Sequence, residues 1–168
     1  MLKKLLILFI ALAPLAAMAQ EVKVATINVQ AVFAAMPELS GIETQLNAKG
    51  EEIRKNIQAL EDEFNKKREE FEKNPATSDA VKQDQQKQMV QIQERYQTYM
   101  QNSQQEMGQL QQQLIEPVNK KIMDAIKAVG DENKYIFVYD ISSEQSPFTY
   151  ITPSAVDITQ QVKTKLGI

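Results

Sequence analysis

Two long helical segments in the middle of the chain carry apolar residues that match across a single break. The first runs from about Leu39 to Asn74 and the second from about Ser78 to Glu116, with Asn74-Pro75-Ala76-Thr77 at the break. Proline removes a backbone donor, while threonine or serine can start the next helix with a side-chain cap. Folding the chain there makes the numbers of facing residues sum to about 153. Leu39 then faces Leu114, Leu46 faces Met107, Ile53 faces Met100, Ile57 faces Tyr96 and Phe64 faces Met89, with Phe71 near Lys82 and Val81. The pattern predicts a long antiparallel coiled-coil hairpin, the arm, over residues 39–116.

The outbound helix has a seven-residue repeat. Leu39, Leu46, Ile53 and Leu60 hold one seam position, and Ile57, Phe64 and Phe71 hold the other. Such 3–4 spacing keeps one stripe against a partner helix. Asp62/Lys66, Glu63/Lys67 and Glu69/Lys73 are placed for ion pairs one turn apart, acid first, each worth about 0.2–0.5 kcal/mol. The return seam is softer, with Met89, Ile92, Tyr96, Met100, Met107, Leu110 and Leu114 set among glutamines. Regular apolar spacing argues for a helix there over a disordered glutamine-rich tract.

The first residues have the form of an export signal. Lys3 and Lys4 precede an apolar run from Leu5 to Ala16, and Ala17-Met18-Ala19 supplies a small-x-small cleavage site. The run is shorter than the roughly 20 residues a membrane-spanning helix needs. Residues 1–19 are thus expected to be a signal peptide cleaved after Ala19, leaving an extracytoplasmic chain. The full chain has 19 basic and 22 acidic residues, so losing Lys3 and Lys4 leaves 17 against 22 and a net charge of −5. That balance argues against nucleic-acid binding, which draws on cationic side chains, and does not support attachment to a membrane surface, though it leaves one open.

The flanks predict a small body over residues 20–38 and 117–168. Val22–Val29 is β-branched and apolar enough for a buried strand, and Asn28 can cap a short helix from Val29 to Met36. Pro37 suits the first turn of the arm. Pro117 interrupts a helical pattern that resumes at Val118, so a kink and the arm–body junction are expected there, with Gly130 ending the helix. Tyr135–Asp140 and Phe148–Thr152 read as strands, and Asp157 can cap a last helix from Ile158 to Leu166 that Gly167 stops. The fold class is α+β, mainly α: a small sheet with short helices and a long helical hairpin.

Catalysis has little to work with. The chain has no histidine and no cysteine, which removes the commonest bases, thiol nucleophiles and transition-metal ligands. No glycine-rich phosphate loop or serine elbow occurs. No enzyme activity, cofactor or metal is expected.

Several motifs, taken in order, resemble the Skp/OmpH family of periplasmic chaperones. They are Lys23-Val24-Ala25-Thr26-Ile27-Asn28-Val29-Gln30-Ala31-Val32-Phe33, then Met36-Pro37-Glu38, then Glu116-Pro117-Val118-Asn119-Lys120-Lys121-Ile122 leading to Phe137-Val138-Tyr139-Asp140, and finally Asp157-Ile158-Thr159-Gln160-Gln161-Val162-Lys163. The resemblance implies a jellyfish-like homotrimer whose arms surround a cavity. In such a cavity, unfolded outer-membrane β-barrel proteins are held in the periplasm without ATP. The best-known members are basic and this mature chain is acidic, so a lipopolysaccharide site does not carry over. Candidates for client contact are Phe64, Phe71, Met89, Val90, Ile92, Tyr96, Tyr99 and Met100, although packing within the hairpin is the main task expected of Met89, Tyr96 and Met100. Candidates for the trimer body are Val24, Ile27, Val29, Val32, Phe33, Ile136, Val138 and Tyr150. The competing reading is an exported coiled-coil protein that spaces or tethers components of the cell envelope.

Overall fold

The computed structural model describes residues 23–73, 78–142 and 150–168; the expected signal peptide and the break between the two long helices lie outside the described residues. In chain order the elements are β1 (Val24–Ile27), α1 (Val29–Phe33), α2 (Glu38–Lys73), α3 (Asp79–Asn133), β2 (Phe137–Asp140), β3 (Val156–Asp157) and α4 (Thr159–Leu166). They form two compact units. Among the described residues, one comprises those up to Ala35 together with those from Lys121 onward, and the other those between Met36 and Lys120.

The first unit is built on a three-stranded parallel sheet of order β2-β1-β3. Parallel neighbours cannot be joined by a tight turn. Between β1 and β2 the chain therefore makes a long excursion, through α1, α2 and α3. In the ladder Val24 is paired with Phe137, Ala25 with Val138 and Thr26 with Tyr139. Side chains alternate along a strand, so Ala25, Ile27 and Val138 share one face. Ala25 and Ile27 are fully buried there, in a core completed by Val32 of α1, Ile122, Ile126 and Val129 of α3, and Ile158 and Val162 at α4. The spacing of Ile122, Ile126 and Val129 is that of one helix face.

α1 has only five residues, too few for a helix to stand alone in water. Its first N–H groups are satisfied from outside. The Val29 N–H donates to Asp140 Oδ1 (3.1 Å), that of Gln30 to Ser142 Oγ (3.3 Å) and that of Ala31 to Asn28 Oδ1 (2.8 Å). Asn28 is the cap the sequence predicts. Its own N–H donates to Thr159 Oγ1 (2.9 Å), and the Thr159 hydroxyl in turn donates to Asp157 Oδ1 (2.5 Å). The C-terminal ends of all three strands are thereby linked through the starts of α1 and α4.

Three expectations are corrected. The third strand is Val156–Asp157, paired with Ala25 and Thr26, whereas Tyr150–Thr152 is not a strand; Phe148 and Thr149 lie outside the described residues. Asp157 acts one residue earlier than expected: it ends β3 and accepts the Thr159 N–H at 2.8 Å, while Ile158 takes the N-cap position. α3 contains Pro117 in its interior, as the sequence pattern predicts, and the proline leaves the Gln113 carbonyl without its helical donor. Finally, Gly130 does not end α3.

The helix goes on to Asn133 and closes with Lys134 at φ 58°, where the Lys134 N–H donates to the Asp131 carbonyl (3.3 Å) and the Tyr135 N–H to that of Gly130 (3.0 Å). This is the paired closure of a Schellman motif. Glycine at 130 serves packing, since a Cβ there would meet Val138 Cγ2 at 3.6 Å. α4 closes in the same way with Gly167, as predicted, at φ 77°.

Two outcomes follow from these termini. Lys134→Gly removes the steric cost of a left-handed L-residue and should raise unfolding stability by on the order of 1 kcal/mol in urea titration. Burial raises the Asp140 carboxyl, but hydrogen bonds from the Ser142 hydroxyl and from the N–H groups of Ser142 and Val29 outweigh it and hold the group below 3.8. The Thr159 hydroxyl and N–H do the same for Asp157. Depressed folded pKa values give stability that is present above the unfolded value and lost as pH falls through the folded one. The urea midpoint should therefore drop below about pH 4, and drop less in a D140N/D157N variant.

Candidate functional site

In the second unit the predicted stripes do face inward. Leu46, Ile53, Ile57, Leu60, Phe64 and Phe71 on α2 are half-buried, as are Met89, Tyr96, Met100, Met107, Leu110 and Leu114 on α3. Ile42 and Ile92 are buried. Ser103 is a buried polar residue that the sequence reading missed, although its spacing from Tyr96, Met100 and Met107 places it on the seam.

Polar contacts bridge the helices beside this stripe. Lys49 Nζ pairs with Glu106 (3.0 Å), Asn56 Nδ2 donates to the Tyr99 hydroxyl (2.8 Å) and Arg95 Nη1 pairs with Glu63 (3.1 Å). Residues of α2 thus meet residues of α3 at three levels. The register is about one turn beyond the predicted one: Met107, expected opposite Leu46, has its Cε 4.0 Å from where a Cβ on Gly50 would sit. The in-helix ion pairs are partly redistributed. Glu69–Lys73 forms at 3.1 Å, but Glu63 turns to Arg95, Lys67 to Glu70, and Asp62 accepts from Gln58. Hydrogen bonds from Lys49 to Glu106, and next to Glu52, raise the lysine pKa above 10.5.

Two grooves are cut into α2 and α3, and Leu60 lines both. The larger, 830 Å³, has the Glu63–Arg95 pair, Glu94 and the Asn56–Tyr99 bond among its walls. The smaller, 530 Å³, lies against Phe64, Ile92 and Tyr96 with a rim of Asn65, Gln93 and Gln97. Three of the eight contact candidates, Phe64, Ile92 and Tyr96, therefore converge on one groove, and Tyr99 lines the other. Phe71, Met89, Val90 and Met100 line neither. Val90 is 50% exposed, whereas Ile92 is only 4% exposed, so its side chain serves packing and is withdrawn from direct contact.

In the first unit, Ile27 and Val32 belong to the internal core, and Val24, Val29, Phe33 and Val138 are half-buried. Ile136 and Tyr150 are exposed, Tyr150 at 75%. The sheet face opposite the core holds a 370 Å³ cavity, lined by Val24, Thr26, Phe137, Tyr139, Tyr150 and Ile151 among others. Phe137, 66% exposed, was missed at the sequence level. Strand alternation opposite Val24 was the signal that could have found it. Among the described residues no cluster of three acids could hold a metal ion, and no helix is long and apolar enough to cross a membrane.

This order of elements has a counterpart among known families. The family model described as outer membrane protein (OmpH-like) matches residues 23–166, spanning every element from β1 to α4. The chain belongs to the OmpH-like family. A comparison with curated proteins finds no match. OmpH-like proteins are periplasmic chaperones of outer-membrane proteins and not enzymes. In this OmpH-like chain the apolar stripe of the long helices is mostly spent on packing, and the pair of grooves and the outer sheet face are among the surfaces that stay open.

Seam packing should outweigh the bridging charges. Ile92→Ala should destabilise the second unit by about 2–5 kcal/mol, while Arg95→Ala, at an exposed pair, should cost about 0.2–1 kcal/mol and less in high salt. Hydrogen exchange of α3 amides near position 92 checks both; equal effects would mean the seam is not the principal contact.

Proposed function

We infer that this OmpH-like protein is an ATP-independent holdase of the periplasm that binds unfolded outer-membrane proteins and prevents their aggregation before membrane assembly. In this reading α2 and α3 form an antiparallel hairpin arm, three chains associate through the first unit, and the arms enclose the client. The observation that carries it is the division of labour just described. A seam that buries its large apolar side chains leaves grooves with mixed apolar and amide walls, suited to many weak contacts and unsuited to one tight one. Enclosure by several arms multiplies such contacts: each exchanges quickly, while escape from all of them is slow.

Self-association is supported by the outer sheet face. Phe137, Tyr150 and Ile151 are exposed in the single chain and line one cavity on that face together with Val24 and Tyr139. A contiguous apolar surface of that kind marks an interaction site on a soluble protein. Homotrimerisation gives it a partner of the same chemistry.

Diluting a denatured outer-membrane β-barrel into buffer with the mature chain, without ATP, should suppress light scattering. No suppression at excess chaperone overturns the holdase reading, and a stoichiometric complex with one folded envelope protein would favour the tether. Mass measurement should give three chains. Phe137→Asp should leave the helical circular dichroism intact and lower the mass to one chain, because a charge on the outer face is solvated in the monomer and buried in the assembly. Ile27→Asp should unfold the first unit instead.

A further inference from the structure

We propose that the smaller groove, between Phe64 and Tyr96, is a seat for a single aromatic side chain of an extended, strand-forming client segment. This rests on the holdase reading and names the part of the client that the arm recognises. The groove's length decides between a side-chain seat and a peptide channel. Along α2 it extends from Leu60 to Asn65, about 7.5 Å at the helical rise. An extended chain advances about 3.3 Å per residue, so the groove spans roughly two residues, of which one points inward.

The walls fit that occupant. Phe64 and Tyr96 are half-buried and present aromatic surface on both helices, with Leu60 and the buried Ile92 below. Aromatic rings meet such surface in offset or edge-on contacts. The exposed rim residues Asn65, Gln93 and Gln97 carry primary amides, which donate and accept as a peptide backbone does. An extended segment has unpaired backbone N–H and C=O groups to match them. Only one charged residue, Glu61, lines the groove, and no cation does. An apolar ring can therefore enter without stripping water from an ion pair. The larger groove is the poorer seat despite its volume, because burying an occupant there desolvates the Glu63–Arg95 pair and Glu94.

The register explains why these groups meet. With α3 about one turn further along than the apolar matching predicts, Tyr96 moves from the level of Ile57 to that of Leu60 and Phe64. Strands of membrane barrels alternate apolar and polar side chains and carry aromatic residues at both membrane boundaries. A segment of that kind offers the groove one ring at a time while its polar side chains stay in water.

The test uses the full-length mature protein and two ten-residue peptides of identical composition. One has Tyr and Phe at alternate positions among Ser and Thr, and the other has them in a block. Fluorescence anisotropy should show tighter binding of the alternating peptide. Phe64→Leu and Tyr96→Leu keep the seam apolar and should each weaken it about tenfold, while Gln111→Ala, remote from the groove, should leave it within about twofold. Since either leucine variant could disturb the seam, a photo-crosslinker at Gln93 provides a second measurement. It should capture the alternating peptide, and one at Gln111 should not. Equal affinity for both peptides, or equal capture at Gln93 and Gln111, overturns the assignment. If the protein still suppresses barrel aggregation in that case, only the seat is lost; if it does not, the holdase reading falls with it.

Discussion

The first unit depends on one chain of hydrogen bonds at the C-terminal ends of its three strands. A five-residue helix following β1 has no means of satisfying its own first N–H groups. Here Asn28, Asp140 and Ser142 accept them, and Asn28 is held to Thr159 and through it to Asp157. The contacts at Asp140 and Thr159 join residues 111 and 131 positions apart in the chain. Their effect is to close a sheet whose neighbouring strands are separated by both long helices. A sheet with four residues in β1, four in β2 and two in β3 offers few ladder bonds. The caps supply the missing order, and the fully buried Ile27, Val32, Ile158 and Val162 fill the space beneath them.

Periodicity made the long helices legible, and it did so because a heptad stripe survives any single substitution. Leu46, Ile53, Ile57, Leu60 and Phe64 turn inward as the spacing requires, and Asn28 caps α1 because its side chain needs only local geometry. What the stripe cannot fix is register. Shifting a heptad seam by about one turn still sets apolar residues against apolar residues, and the distinction falls to polar neighbours such as Lys49 with Glu106 and Asn56 with Tyr99. Those contacts depend on which side chains reach across, and no one-dimensional pattern reports that. The groove at Phe64 and Tyr96 was therefore visible only as a list of seam residues, while its identity as a concave site came from the register.

Two misreadings in the first unit have a common cause. Tyr150-Ile151-Thr152 has the β-branched and aromatic character of a strand, yet these residues line the outer cavity while Val156 and Asp157 take the ladder. Gly130 has the character of a helix terminator, yet it is kept small by the approach of Val138, and Lys134 makes the turn. In each case the residue type was read correctly as special and the reason lay in a tertiary neighbour. Propensity states what a residue permits; packing selects among the permitted uses.

The economy of the seam also limits how a chaperone of this kind can hold its client. An arm that exposed Ile53, Ile57 and Ile92 would bind unfolded chains strongly, but the same residues are what keep α2 and α3 together. Ile92, at 4% exposure, cannot serve both purposes at once. On the proposed holdase reading, affinity comes from places where the seam is complete and its margin is open, such as the flanks of Leu60, which lines both grooves. Contacts confined to such margins are individually weak. Their weakness is compatible with release without an energy source, since escape then requires only that several small contacts lapse together, and compatible with retention as long as more than one arm supplies them.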